Sequence, residues 1–210
     1  MKSRLAALCV ALLLLGGGFA AGYFVPRENH ATAEPPEFGP VEVGFAQDMA
    51  THHVQAIELC HALSADVDEM LTALCTQIQT SQTQEIGILT GWLELLDQPL
   101  ASRAPMAWMH DHHDSAHSHT GSSSPMPGMA SWLEVDALRQ SNGNEAEVQF
   151  LQLMLRHHQG GIDMAGYAAQ HATVPVVARL ATIMIKEQSQ ETAVMEQLLR
   201  RRGGEPLPYP

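Results

Sequence analysis

Residues 45–59 read FAQDMATHHVQAIEL, and residues 150–164 read FLQLMLRHHQGGIDM. The two stretches match at a constant offset in their phenylalanine, methionine, paired histidines and isoleucine. A second pair of similar segments follows, one after each copy: QTQEIGIL at 82–89 resembles QSQETAVM at 188–195. An internal repeat of this kind indicates a duplicated structural unit. The unit predicted here is a helical hairpin that occurs twice.

The repeated stretches carry apolar side chains at steps of three and four residues, which is the period of a helix with one buried face. Four long helices in two short-looped hairpins predict an all-α fold, an antiparallel four-helix bundle. Counted from each turn, the paired histidines fall at the height of the Gln/Glu pair on the partner helix. The sequence therefore predicts a polar layer in the middle of the bundle, formed by His52, His53, Gln82, Glu85, His157, His158, Gln188 and Glu191.

The amino terminus has the pattern of an export or anchor segment. Lys2 and Arg4 precede an apolar run of about the ~20 residues that a bilayer span needs. An uncleaved membrane anchor is favoured over a cleaved signal peptide, and either one places the rest of the chain outside the cytoplasm. The predicted division is a signal segment at 1–25, a tether at 26–40, the first hairpin at 41–97, a His/Met-rich linker at 98–130, a short helix plus the second hairpin at 131–202, and a tail at 203–210.

Composition excludes one class of partner. The formal net charge of -12 leaves no cluster of Lys and Arg to neutralise phosphates, so nucleic-acid binding is excluded. No Ser/His/Asp triad, phosphate-binding loop or dinucleotide fingerprint is recognisable. We therefore predict no catalytic residue, and an enzymatic function is not favoured.

The polar layer has two interpretations. In the first it is a metal site, because imidazole suits copper, zinc and iron, and thioether sulfur favours Cu(I). A methionine lies four residues before the second histidine of each pair, on the same helix face. In the second interpretation the layer is only hydrogen-bonded and sets the helix register, in a metal-free structural or interaction module. The candidate ligands of the first interpretation are His52, His53, His157, His158, Met49, Met154, Glu85 and Glu191.

The linker supports metal binding independently. Residues 106–129 read MAWMHDHHDSAHSHTGSSSPMPGM and show no core periodicity, so burial does not explain their histidines and methionines. Histidine-rich tracts of this kind are typical of metal binding, and the added methionines in an exported segment favour copper over other transition metals. The alternative is a pH-sensitive linker without a ligand. The candidate residues are His110, His112, His113, His117, His119, Met106, Met109, Met126 and Met129.

Two cysteines flank the first predicted turn. Cys60 and Cys75 correspond to Ala165 and Ala181 in the second repeat, so both are present in one hairpin and both absent from the other. This pattern predicts that they are neighbours, and in an exported protein it favours a disulfide. Two free buried thiols, or thiolate metal ligands near His61, are the alternatives.

The repeated F-x-x-x-M-x-x-H-H segment and the central M-P-G-M resemble the domain of unknown function 305 family over about residues 41–202. The resemblance implies a ferritin-like four-helix bundle, exported or membrane-anchored in bacteria, in a family of which some members are associated with copper binding. A ferritin-like fold also suggests a di-iron oxidoreductase. Such a site needs Glu-x-x-His on two helices, and only Glu58 and His61 fit that spacing, so this alternative ranks last.

Overall fold

The computed structural model describes residues 37–109 and 126–209. The predicted signal segment, most of the tether and the five linker histidines lie outside this part of the chain. Five α-helices form the described fold, with no strand among these residues, which confirms the predicted all-α class. None of these helices combines the length and apolarity needed to cross a bilayer. The helices are α1 (Pro40–Ala62), α2 (Glu69–Leu95), α3 (Trp132–Gln140), α4 (Gly143–His171) and α5 (Pro175–Arg201).

The helix starts follow local chemistry. Pro40 and Pro175 occupy the first turns of α1 and α5, where a missing N–H costs no helical hydrogen bond. The side chain of Asp68 accepts a hydrogen bond from the Met70 N–H at 2.8 Å and caps α2. Helix α2 therefore begins at Glu69, directly after Asp68. Its start is set by the residue whose carboxylate reaches the free N–H groups.

Two central helices organise the bundle. Helix α1 packs against both α2 and α4, and α4 packs against α5, so α1 and α4 form the pair that joins the hairpins. On the outer side, α2 and α5 face each other across a cavity of about 270 Å³, which Met70 and Leu74 line from one helix and Val194 from the other. The predicted bundle of two repeated hairpins is thus confirmed.

The polar residues separate two hydrophobic clusters. We call them the Phe45 cluster and the Phe150 cluster, after two repeat-equivalent rings that are both fully buried. Because the hairpins run in opposite directions, equivalent residues of the two repeats end up in different clusters. Members of the Phe45 cluster include Met49, Leu89, Trp108, Met164 and Met184, and members of the Phe150 cluster include Leu59, Ile78, Met154, Met195 and Leu198.

A buried carboxylate joins the first hairpin to the second. Glu42 on α1 accepts hydrogen bonds from the N–H of Thr173 at 2.6 Å, the hydroxyl of Thr173 at 2.9 Å and the N–H of Val174 at 3.1 Å. Burial acts to raise the pKa of Glu42, but these hydrogen bonds outweigh it and hold the pKa below its ordinary value. An ionised Glu42 therefore satisfies the free N–H groups at the start of α5.

Candidate functional site

The four histidines of the repeat meet inside the bundle. Their side chains are fully buried, on the central helices α1 and α4. The rings of His52 and His157, the first histidine of each pair, stack with centroids 3.8 Å apart. The second histidine of each pair lies beside its neighbour, with ring centroids 6.4 Å apart on α1 and 6.2 Å apart on α4. The predicted convergence of imidazoles from both repeats is therefore present in the structure.

The second histidines pair with the predicted glutamates, and we call this the carboxylate side of the layer. His53 Nε2 lies 2.7 Å from Glu85 Oε2, and His158 Nε2 donates to Glu191 Oε2 at 2.8 Å. Gln77 Nε2 reaches across from α2 and donates to the other oxygen of Glu191 at 3.1 Å. Each repeat thus contributes one buried His–Glu pair, and the two pairs are related by the symmetry of the repeat.

Burial controls the protonation of the layer. Desolvation, followed by the nearby histidines, lowers the pKa of His52 and of His53 to about 3, and lowers that of His157 well below its ordinary value. Desolvation and the neighbouring Glu191 raise the pKa of Glu85 to about 7. These imidazoles are therefore neutral at pH 7, which is the form that binds metal ions.

The first histidines face a turn of the linker, and we call this the turn side of the layer. His52 Nε2 donates to the backbone oxygen of Pro127 at 3.0 Å, and His157 Nε2 donates to the backbone oxygen of His52 at 2.9 Å. A carbonyl oxygen only accepts, so both rings carry their proton on Nε2. The repeat-equivalent histidines thus have different partners, because only His52 reaches the linker.

Residues 126–129, Met-Pro-Gly-Met, form a tight turn. The Met129 N–H donates to the Met126 oxygen at 3.3 Å, and Gly128 has φ +75°. Pro at the second position and Gly with positive φ at the third are the signature of a type II turn, which brings its end residues within about 7 Å. Both methionines are partly exposed. The turn therefore brings the backbone positions of two partly exposed methionines close together at the end of the His-rich segment.

Two positions of the repeat hold this turn on the bundle. Gln55 exchanges two hydrogen bonds with the backbone of Ala130, accepting from its N–H at 2.6 Å and donating to its oxygen at 2.8 Å. Gly160 is the repeat equivalent of Gln55, and a β-carbon there would collide with the Pro127 carbonyl. Sequence reasoning missed both residues, although a glutamine replaced by glycine within an otherwise matching repeat was a readable signal.

The other end of the linker is also anchored on α1. Asp48 is buried and accepts hydrogen bonds from the Met106 N–H at 2.6 Å and the Trp108 Nε1–H at 2.8 Å. Its pKa is raised by burial despite these bonds. The indole of Trp108 lies against Gly44, where any side chain would collide with it. Sequence reasoning missed Asp48, whose signal was a carboxylate on the apolar face of α1.

The predicted methionine ligands fall into two groups. Met49 and Met154 are fully buried in the Phe45 and Phe150 clusters respectively, so the structure does not bring them together. Met106 is buried in the Phe45 cluster, while Met109 and Met126 pack at its edge and remain partly exposed. The linker methionines that solvent reaches are thus Met109, Met126 and Met129. Their binding to a metal stays a prediction.

The layer is not a preformed cage for a metal ion. Within residues 37–109 and 126–209, no three His, Cys, Asp or Glu side chains are grouped as ligands of one ion. The layer nevertheless retains buried polar atoms without a protein partner, and each costs ~1–3 kcal/mol if left so. Neutral imidazoles are chemically suitable ligands for a metal ion. Among the described residues, however, they are not grouped so that three of them could bind the same ion. The unpartnered atoms include Nδ1 of all four histidines and both amide atoms of Gln82 and Gln188.

Cys60 and Cys75 are neighbours across the first hairpin, as expected, but they are free thiols in the structure. The Cys60 Sγ donates to the backbone oxygen of Cys75 at 3.9 Å. Contact with Cys75 and burial raise the pKa of Cys60, so this sulfur is a thiol and not a thiolate ligand. Both sulfurs are thus thiols in this structure, and the disulfide between these neighbours stays a prediction.

Comparison with known proteins gives a consistent result. The family model of a domain of unknown function (DUF305) matches residues 42–199. A presumed secreted DUF305 protein from Streptomyces coelicolor is 36% identical with a TM-score of 0.70, over 80% of this chain and 96% of that one. A DUF305 fragment from Deinococcus radiodurans is 32% identical with a TM-score of 0.65, over 79% and 99%.

CopM in the Cu(I)-bound form shares the fold at 23% identity, with a TM-score of 0.59 over 78% of this chain and 98% of CopM. A search of curated proteins yields no match.

Proposed function

The chain belongs to the DUF305 family, and from this premise we propose that it binds copper outside the cytoplasm, for sequestration or handling. The observation that carries the proposal is the Met126–Met129 turn. Two partly exposed thioethers lie at the end of a histidine-rich segment, and the turn is anchored to the bundle. Paired thioethers next to imidazoles select soft or borderline ions, with Cu(I) first among them.

The fold relatives support the choice of metal. CopM has been solved in Cu(I)-bound, Cu(II)-bound and Ag-bound forms, so this bundle is compatible with binding such ions. Ag(I) and Cu(I) share a preference for sulfur ligands. We propose that copper is captured by the linker, through the histidines at 110–119 together with Met109, Met126 and Met129, and Met106 as a buried neighbour.

The polar layer is the second proposed metal site. Its support is the neutral state of the buried imidazoles and the unpartnered Nδ1 atoms that they retain. Glu85 and Glu191 orient His53 and His158 through the contacts on the carboxylate side, as carboxylates do for histidine ligands. Met49 and Met154 enter this proposal only if they leave their hydrophobic clusters.

Export is proposed from the amino terminus and one relative. The apolar segment at 1–25 serves as a membrane anchor or as a cleaved signal, and the Streptomyces relative is described as a presumed secreted protein. An extracytoplasmic location would expose the linker to metal ions arriving from outside. Mass spectrometry of the membrane fraction distinguishes the two fates of the segment, because only an anchor keeps residues 1–25 on the mature chain.

The test is a Cu(I) competition titration of the full chain. The double variant Met126→Leu/Met129→Leu removes both thioethers while keeping apolar side chains of similar volume. We expect its affinity to fall by about tenfold or more, which is ~1.4 kcal/mol. Met70→Leu is the matched control, since Met70 is a half-exposed methionine far along the chain from the turn. Equal affinities in the double variant and the wild type would contradict the proposal for the turn.

The layer is tested by stoichiometry. In the variant His53→Gln/His158→Gln, loss of one bound ion with the linker affinity unchanged would support a core site. An unchanged number of ions would leave the linker alone as the binding site.

A metal-free structural role of the layer is the second candidate. It is favoured by the Nε2 atoms, each of which lies at hydrogen-bond distance from a carbonyl or carboxylate oxygen. A layer of this kind fixes the register of the helices without any ion. Wild-type thermal stability that does not change on adding or removing Cu(I) would support this role for the layer.

A further inference from the structure

The Met-Pro-Gly-Met turn rests on a surface built by both repeats. Helix α1 contributes the donor His52 and the clamp Gln55, and helix α4 contributes Gly160. Gly160 leaves the space that the Pro127 carbonyl occupies, and that carbonyl then accepts the hydrogen bond from His52. Positions 55 and 160 are equivalent in the repeat, yet they differ in residue and serve the same four-residue turn.

The donor is itself held rigidly. The ring of His52 is fully buried and stacks on His157 at a centroid distance of 3.8 Å. His157 Nε2 donates to the backbone oxygen of His52, which ties the two central helices together at this level. The Gly128 backbone lies so close to Arg156 that a side chain at 128 would collide with its carbonyl oxygen. The turn is therefore fixed at Pro127, at Gly128 and at Ala130.

A turn fixed in this way does not have to be ordered when an ion arrives. Ordering a loop and its side chains costs free energy that reduces affinity, and a site that is already ordered avoids this cost. The backbone positions of Met126 and Met129 are set by contacts within the chain, because the turn hydrogen bond and its three anchors all use protein groups. His52 and Gln55 would thereby affect an ion held by the turn without touching that ion.

We propose that His52, supported by His157, and Gly160 form a seat that positions the Met126–Met129 turn for binding a soft monovalent ion. His52 is a positioning residue in this arrangement and not a ligand. The inference rests on the proposed function of the turn and deepens it, since it assigns the first histidine of each pair a role in metal affinity. It also accounts for the break in repeat symmetry on this side of the layer.

The test uses Gly160→Ala in the full chain, with Gly166→Ala as the matched control. Both residues lie in α4, and both variants favour helix equally. An added β-carbon meets Pro127 at position 160 but nothing within 4 Å at position 166. Ag(I) and Cu(I) affinities are measured by competition, and X-ray absorption counts the sulfur neighbours of bound Ag(I). We expect Gly160→Ala to lower affinity about tenfold and to reduce the sulfur count, and Gly166→Ala to change neither.

A second pair of variants keeps the test decisive if Gly160→Ala folds poorly. His52→Leu removes the side-chain donor to the Pro127 oxygen, whereas His52→Gln retains one. We therefore expect the Cu(I) affinity of the glutamine variant to lie between those of the leucine variant and the wild type. Equal affinities of Gly160→Ala and Gly166→Ala, with Met126→Leu/Met129→Leu still weakened, would overturn the seat and leave the proposed function standing. No effect of the methionine variant would overturn both.

Discussion

The two sides of the polar layer use the same residue type in different ways. On the carboxylate side, each repeat pairs its second histidine with its own glutamate, His53 with Glu85 and His158 with Glu191. On the turn side, His52 bonds to the linker while its equivalent His157 bonds to the backbone of His52. Adjacent histidines with equal burial thus differ in whether they serve the bundle or the linker. The histidine contacts are the same in both repeats where each repeat supplies both partners. They differ where the two repeats together hold a single segment of the linker.

The largest effect is expected from breaking the carboxylate side. His158→Ala leaves the buried carboxylate of Glu191 with only Gln77 as a partner. Leaving a buried acceptor without its donor costs ~1–3 kcal/mol, and the cavity left by the ring adds about 2 kcal/mol or more to the loss in the free energy of unfolding, which denaturant titration measures. The control Glu196→Ala removes an exposed pair with Arg200 and should stay within ~0.5 kcal/mol. A loss below ~1 kcal/mol in His158→Ala would mean that the pair contributes no more than a surface contact.

The pH dependence of stability is expected to distinguish the buried histidines from Glu85 next. Burial holds the pKa of His52 and His53 at about 3, below the 6.5 of the unfolded chain, so their contribution is present above pH 6.5 and is lost as pH falls. Glu85 acts in the opposite sense. Its pKa of about 7 lies above the unfolded 4.5, so its contribution is present below pH 4.5 and is lost as pH rises toward 7.

Glu85→Gln should therefore steepen the loss of stability on acidification. Between pH 6.5 and pH 5 the variant loses a group whose raised pKa offsets the histidines. The slope of the unfolding free energy should increase by about one proton, or ~1.4 kcal/mol per pH unit. Unfolding titrations at several pH values measure this slope. Identical slopes in variant and wild type would show that Glu85 is ionised in the folded protein throughout this range.

A smaller effect is expected from loosening the turn side. Gln55→Ala removes two hydrogen bonds to Ala130, and we expect a loss of about 1–2 kcal/mol. Hydrogen exchange should show a faster Ala130 amide while the amides of α1 and α4 keep their protection. Gln140→Ala, which removes an exposed bond to Asp136, is the matched control. Faster exchange throughout α1 would instead make Gln55 a part of the bundle core.

The smallest effect is expected at the cysteines, where the two hairpins differ. Cys60→Ala reproduces Ala165 of the second repeat, so the unfolding free energy should change by no more than ~1 kcal/mol. Wild type with free thiols should unfold at the same midpoint with and without reductant. A midpoint that falls on adding reductant, in the wild type but not in the variant, would establish the disulfide instead.

The sequence predicted the bundle because its signal is periodic. Apolar side chains recur with the helical period from Phe45 and again from Phe150. The repeated Gln/Glu segments indicate which residues face the histidines. Helix periodicity also predicts the height of the layer, since both helices of a hairpin are counted from one turn. The His53–Glu85 and His158–Glu191 pairs follow directly from that count.

Periodicity carries no information about the linker contacts. The bonds of Asp48 and Gln55 join residues more than fifty positions apart through backbone groups, which any residue could supply. Met49 and Met154 each lie one helical turn before the second histidine of a pair, but they belong to different hydrophobic clusters. Helix periodicity alone does not show this separation, because it follows from the antiparallel packing of the two hairpins. The direction of Cys60 Sγ depends on a side-chain torsion, which spacing does not specify.

Anchoring of the linker at both ends has a consequence for how this protein can vary. Asp48 holds the segment that ends at Met109, and Gln55 holds the segment that begins at Met126. Protease cleavage between these points would leave each fragment attached to the same helix, so the nicked protein should stay assembled. The interval can likewise be exchanged for a longer or shorter stretch of other composition at little thermodynamic cost, because each doubling of loop length costs only ~0.6 kcal/mol. The contacts that anchor the linker on α1 thus place no demand on the composition of the interval between them.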